Sequence, residues 1–78
     1  MNIGVVGCGY VGLSTAVALA KENKVHIFDI DPKRISMLND NIIPFEEVDL
    51  ERDFFQFRSN IIIEKNREAL INKCSIFI

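Results

Sequence analysis

Three glycines, in the stretch Gly7-Cys8-Gly9-Tyr10-Val11-Gly12, separate an apolar run, Ile3-Gly4-Val5-Val6, from a segment rich in Leu, Ala and Val. About 20 residues beyond Gly9, Asp29 closes a second run rich in β-branched and aromatic residues, Lys24 to Asp29. A Gly-x-Gly-x-x-Gly turn between a strand and a helix, followed by a spaced acid, is suited to holding a dinucleotide. Gly7 allows a sharp turn out of the strand, Gly9 allows phosphates to approach the backbone, and Gly12 allows the helix to lie close to the strand. The helix N-terminus adds unpaired N–H donors and a positive dipole end. Asp29 is placed to accept hydrogen bonds from both adenine-ribose hydroxyls and to repel a 2′-phosphate, which favours NAD over NADP. Arg34, one turn into the next helix, is placed to reach the adenosine end; as an arginine it also suits a 2′-phosphate, and it equally fits a solvated helix face.

The remaining reactive side chains have structural readings. Asp31, before Pro32, fits a helix cap. His26 lies mid-strand and reads as a packed core histidine, with no acid or nucleophile evident beside it. Cys8 reads as filling space in the turn, although a helix N-terminus can also lower a thiol pKa there. Cys74 reads as a buried packing residue. Phe54, Phe55 and Phe57 fit a core, or a surface that packs on further chain, and the acids at 46–53 fit a solvated helix face. No set of metal ligands is visible.

These residues need a scaffold of alternating strands and helices. Residues 2–6 form the first strand; residues 11–22 form a helix packed through Val11, Ala16, Val17, Leu19 and Ala20. Residues 24–29 form the second strand. A helix capped at Asp31 presents Ile35, Leu38 and Ile42 and ends near Asn39 to Asn41, where left-handed backbone is tolerated. A loop at 42–47 leads to a helix at 48–57, a strand at 60–64, a short helix at 67–73 capped by Asn66, and a buried strand at 75–78. Right-handed crossovers then give a parallel sheet in the order 3-2-1-4, with the helix at 67–73 on the opposite face from those before it. The fold class is α/β, a Rossmann-like doubly wound parallel sheet, incomplete at about four strands. A final strand that is an uncovered edge reads as the N-terminal part of a larger domain.

Composition narrows the function classes. With 78 residues the chain has room for one small domain, and with two cysteines it has no disulfide framework, so both read as reduced thiols in a cytoplasmic protein. A net charge of −2 provides no basic footprint for nucleic acid or an anionic membrane. No apolar run approaches the ~18 residues of a membrane span, and no signal-peptide pattern opens the chain.

The form Gly7-Cys8-Gly9-Tyr10-Val11-Gly12-Leu13-Ser14 is narrower than the generic motif. It resembles the N-terminus of the UDP-glucose/GDP-mannose dehydrogenase family. The resemblance continues through Phe28-Asp29-Ile30-Asp31-Pro32, Arg34-Ile35 and Met37-Leu38-Asn39 to Pro44-Phe45-Glu46-Glu47, and on to Glu68-Ala69 and Ser75-Ile76-Phe77-Ile78. It covers nearly the whole chain but only the first part of the family's enzyme. It implies an oxidoreductase that takes the C6 alcohol of a nucleotide sugar to a carboxylate with two NAD molecules and a cysteine thiohemiacetal. UDP-glucose is the favoured substrate, with UDP-N-acetylmannosamine or GDP-mannose as alternatives; a non-catalytic nucleotide-sensing module or an inactive remnant also stays open. By position the resemblance makes Gly7, Gly9 and Gly12 the diphosphate turn, with Tyr10 and Val11 as backbone donors and Asp29 and Arg34 at the adenine ribose. Glu47 matches the acid of the family's Ser-Pro-Ile-x-acid loop near the active site, although Ile43 and Phe45 replace the usual Ser and Ile. The nucleophilic cysteine, lysine, asparagine and aspartate, and a Thr-Pro loop after the fourth strand, are expected beyond residue 78. Neither Cys8 nor Cys74 matches that nucleophile. The same resemblance implies a homodimeric parent enzyme and separate substrate and C-terminal domains outside residues 1–78.

Overall fold

The computed structural model describes residues 1–78. Four parallel strands, β1 (Asn2–Val6), β2 (Lys24–Phe28), β3 (Ile61–Ile63) and β4 (Ile76–Phe77), lie in the order β3-β2-β1-β4. Helix α1 (Tyr10–Leu19) links β1 to β2. Helices α2 (Pro32–Asn39) and α3 (Val48–Gln56) lie between β2 and β3, and α4 (Arg67–Lys73) between β3 and β4. The topology and element order match the expected doubly wound sheet.

Register explains the layering. Ile3 pairs with Val25, Val5 with Ile27, and Val25 with Ile61. Side chains alternate along a strand, so Val5, Val25, Ile27 and Ile61 share a face. Leu13, Ala16 and Val17 of α1, Ala20 at its C-cap, Cys8 of the turn, Leu38 of α2, and Leu50 and Phe54 of α3 complete that core. The α1 residues recur at intervals of three and four, one stripe of a helix. Val11 is out of phase with the stripe and is exposed, so Leu13 packs where Val11 was expected to. Helix α1 also stops at Leu19 rather than continuing to residue 22. On the opposite face, α4 packs Leu70 over Gly4, where a Cβ would stand 2.7 Å from Leu70 Cδ2.

Caps set the helix boundaries. Asp31 accepts from the Lys33 N–H at 2.9 Å and Asn66 from the Ala69 N–H at 2.8 Å, as their positions imply. Asn41 takes the left-handed conformation, φ 60°, just past α2. That reversal carries Ile42 out of the helix, where it is exposed instead of sharing a face with Leu38. A single 3-10 turn, Arg58–Asn60, shortens the third strand to three residues. Only Phe54 of the phenylalanine cluster is fully buried, while Phe55 is exposed. The final strand is not buried: Ile76 and Phe77 are exposed, because β4 is the sheet's edge and α4 sits over β1 and β2.

Candidate functional site

The carboxyl end of β1 and the start of α1 enclose the glycine turn. Gly7 has φ +97°, a backbone conformation that L side chains rarely adopt. A Cβ on Gly12 would collide with the Gly7 carbonyl, so only glycine lets α1 close onto the strand here. The first turn of α1 is capped by Gly9 with no side-chain hydrogen bond. The first intrahelical bond is Leu13 N–H to the Gly9 carbonyl. The N–H groups of Tyr10, Val11 and Gly12 therefore precede the helical ladder and face outward for an acceptor. This cradle, open where a side chain would fill it, fits an anionic diphosphate.

Asp29 is 8% exposed and does more locally than its position alone implied. Its Oδ2 accepts from the Cys8 N–H at 2.7 Å and the Cys8 thiol at 3.3 Å, and its Oδ1 accepts from the Asp31 N–H at 2.8 Å. The carboxylate thus pins the glycine turn to the end of β2. The two Cys8 bonds occupy both lone pairs of Oδ2, and Oδ1 keeps one acceptor site beyond its bond to Asp31. Burial opposes its charge, but the Cys8 and Asp31 N–H groups, the Cys8 thiol and the nearby Arg34 together hold the carboxyl below its usual range. The Cys8 thiol moves the other way. Its burial, its hydrogen bond to Asp29 and that residue's charge push it up to about 12, so the helix end does not activate it. Cys74 is half-exposed rather than buried, and its thiol is also raised, by burial and by Glu64.

A cleft of about 470 Å³ opens beside Asp29. Phe28, Ile30, Pro32 and Ile35 supply apolar walls, and Lys65 closes the far side from the end of β3. Sequence reasoning passed over Lys65. Its place just after a strand, at the carboxyl edge of a parallel sheet where ligands bind, was the available signal. Arg34 does not line this cleft. Its guanidinium lies over the glycine turn, with Nη1 3.2 Å from where a Gly9 Cβ would stand, and its carbon is 5.7 Å from the centre of the Phe45 ring. Glu47 caps α3, accepting from the Asp49 N–H at 3.1 Å, and borders a second cleft with Tyr10 and Ser14.

His26 has an acid beside it after all. Its Nδ1 lies 3.4 Å from Glu64 Oε1 and its Nε2 3.0 Å from Asn2 Oδ1, while Lys73 Nζ meets Glu64 at 3.2 Å. Glu64 sits 38 residues away in sequence, so only the β2–β3 pairing unites them. This cluster lies on the α4 face of the sheet, away from the glycine turn.

The model of the UDP-glucose/GDP-mannose dehydrogenase family, NAD-binding domain, matches residues 1–78. UDP-glucose 6-dehydrogenase from Campylobacter jejuni is 37% identical over 75 residues, which cover 92% of this chain and 19% of that protein. UDP-N-acetyl-D-glucosamine 6-dehydrogenase from Pseudomonas aeruginosa is 37% identical over 78 residues, all of this chain and 18% of that protein. The chain thus spans about a fifth of the length of these relatives. A UDP-glucose dehydrogenase structure from Pyrobaculum islandicum superposes with a TM-score of 0.90 at 23% identity, over 97% of this chain and 18% of that one, which shows the shared fold. No helix is long and apolar enough to cross a membrane. A parallel sheet in the order 3-2-1-4, a glycine cradle pinned by a buried acid and a family match along the whole chain converge: this chain belongs to the UDP-glucose/GDP-mannose dehydrogenase family, within its NAD-binding domain.

Proposed function

We propose that these residues form the cofactor-binding start of a UDP-glucose 6-dehydrogenase, which oxidises the C6 alcohol of UDP-glucose to the carboxylate of UDP-glucuronate in two NAD-dependent steps. The observation that carries the reading is the glycine cradle tied to Asp29 through the Cys8 N–H. NAD, when bound, supplies the hydride acceptor. In this reading the N–H groups of Tyr10 and Val11 and the close backbone at Gly7, Gly9 and Gly12 hold the diphosphate. Asp29 uses the free acceptor site of Oδ1 on an adenine-ribose hydroxyl, and the apolar cleft beside it takes the adenosine. Glu47, at the head of α3, is the acid of the proline loop that the family resemblance puts near the active site. The catalytic groups belong to substrate and C-terminal domains outside residues 1–78, in a cytoplasmic homodimeric parent.

A second reading, a dehydrogenase for another nucleotide sugar, is favoured by the equal identity of the UDP-N-acetyl-D-glucosamine 6-dehydrogenase relative. UDP-N-acetylmannosamine and GDP-mannose are its other substrates to test. Assaying NADH formation by the full-length protein with each nucleotide sugar separates the readings. UDP-glucose is expected to give the highest kcat/KM; a higher value on another sugar transfers the assignment. NADH formation with none of them points instead to a nucleotide-sensing module.

A further inference from the structure

Arg34 makes no hydrogen bond or close ion pair in the chain, although its charge helps lower the Asp29 carboxyl pKa. None of the side-chain hydrogen bonds or ion pairs of the molecule involves its guanidinium. A long side chain in that condition normally wanders. Here it is stacked. The guanidinium lies 5.7 Å from the Phe45 ring centre, and Phe45 meets the Tyr10 ring edge-on at 5.9 Å and 64°. Phe45 is itself half-buried and packed against the main core, so the stack rests on a fixed base. It holds the guanidinium over Gly9, beside the unpaired N–H groups of the turn and away from the cleft next to Asp29.

We propose that Phe45 is a positioning residue: its ring pre-orients Arg34 over the glycine turn, so that a dinucleotide's diphosphate is met by turn N–H groups on one side and by the guanidinium on the other. Tyr10 then couples occupancy of the turn to the loop at 42–47. The proposal rests on the reading that NAD occupies this turn, and it moves Arg34 from the ribose to the diphosphate. Backbone donors and a guanidinium are both strong ligands for phosphate oxygens. An arginine held over a ring loses less freedom on binding than a mobile one.

The test uses Phe45→Leu, which keeps apolar bulk and removes the aromatic face, and Phe45→Tyr, which keeps the face. Calorimetric titrations with NAD, ADP and adenosine are compared, with melting curves to confirm folding. Phe45→Leu is expected to weaken NAD and ADP by about two- to five-fold, the range of an exposed cation–π contact, and to leave adenosine unchanged. Phe45→Tyr is expected to restore the affinity. Within residues 1–78 Tyr10 is the sole tyrosine and there is no tryptophan, so in this segment its emission reports the Tyr10–Phe45 contact. Titration with inorganic pyrophosphate, which is transparent in this range, is expected to change Tyr10 emission in the wild type and not in Phe45→Leu. Wild type that binds NAD no better than Phe45→Leu overturns the proposal alone, as does an equal loss for adenosine. Unchanged Tyr10 emission at saturating pyrophosphate overturns the coupling. Wild type that binds no NAD overturns the underlying reading as well.

Discussion

At the scale of single residues, Asp29 has one observed task, holding the turn, beside the proposed one at the ribose. It is spaced to reach a ribose, and it already holds the turn through the Cys8 and Asp31 N–H groups. Its carboxyl sits below its ordinary 3.8 in the folded state, so the unfolded chain binds the proton more readily. Stability from Asp29 is then fully present above the unfolded value and is lost as pH falls through the lowered folded one. Urea denaturation from about pH 6 to pH 3 is expected to show wild type losing stability faster than Asp29→Asn below about pH 4. Parallel curves would remove the linkage. The cysteines yield a second contrast. Cys8 is fully buried with its thiol pushed up to about 12, whereas Cys74 is half-exposed. A maleimide is expected to label Cys74 in the native chain at pH 8 and Cys8 only on unfolding, as peptide mapping would show.

At the scale of elements, the glycine turn and the α4 face separate function from stability. Gly12→Ala drives a Cβ into the Gly7 carbonyl, a backbone atom that cannot yield without displacing α1. Gly9→Ala meets only the end of Arg34, a flexible side chain. Gly12→Ala is therefore expected to lower the melting temperature sharply, and Gly9→Ala to change it little while impairing NAD binding. Equal melting temperatures for the two would contradict this geometry. On the other face, Glu64 is the buried hub between His26 and the exposed Lys73. Glu64→Ala leaves the buried His26 Nδ1 unpaired and is expected to cost about 2 kcal/mol, while Lys73→Ala, at the solvent end, is expected to stay within about 1 kcal/mol. Chemical denaturation measures both. This cluster shows why parts of the chain were illegible in the sequence. Turn chemistry at Gly7, Asp31, Asn41 and Asn66 is local, and each position behaves as its residue type implies. The neighbour of His26 comes from another strand, and no local pattern announces it.

At the scale of the whole molecule, the strand order and the change of face at α4 followed from alternating patterns and crossover handedness. The glycine spacing located the cradle. Long-range packing supplied the rest. Exposure of β4 depends on which helices cover each face, and the path of Arg34 depends on Phe45 arriving from a loop with no periodicity. In the resulting molecule the turn, Asp29 and the adjoining apolar cleft meet at the carboxyl ends of β1 and β2, the edge proposed to hold the cofactor. The central claim is that this edge holds NAD through Asp29. Calorimetric titration of NAD and NADP against wild type and Asp29→Asn tests it most directly, because the ratio of the two affinities is insensitive to a general loss of folding. Wild type is expected to prefer NAD by at least about tenfold, consistent with a charge-assisted contact, and Asp29→Asn to show a much smaller preference. An NAD-to-NADP ratio unchanged by the substitution would contradict it.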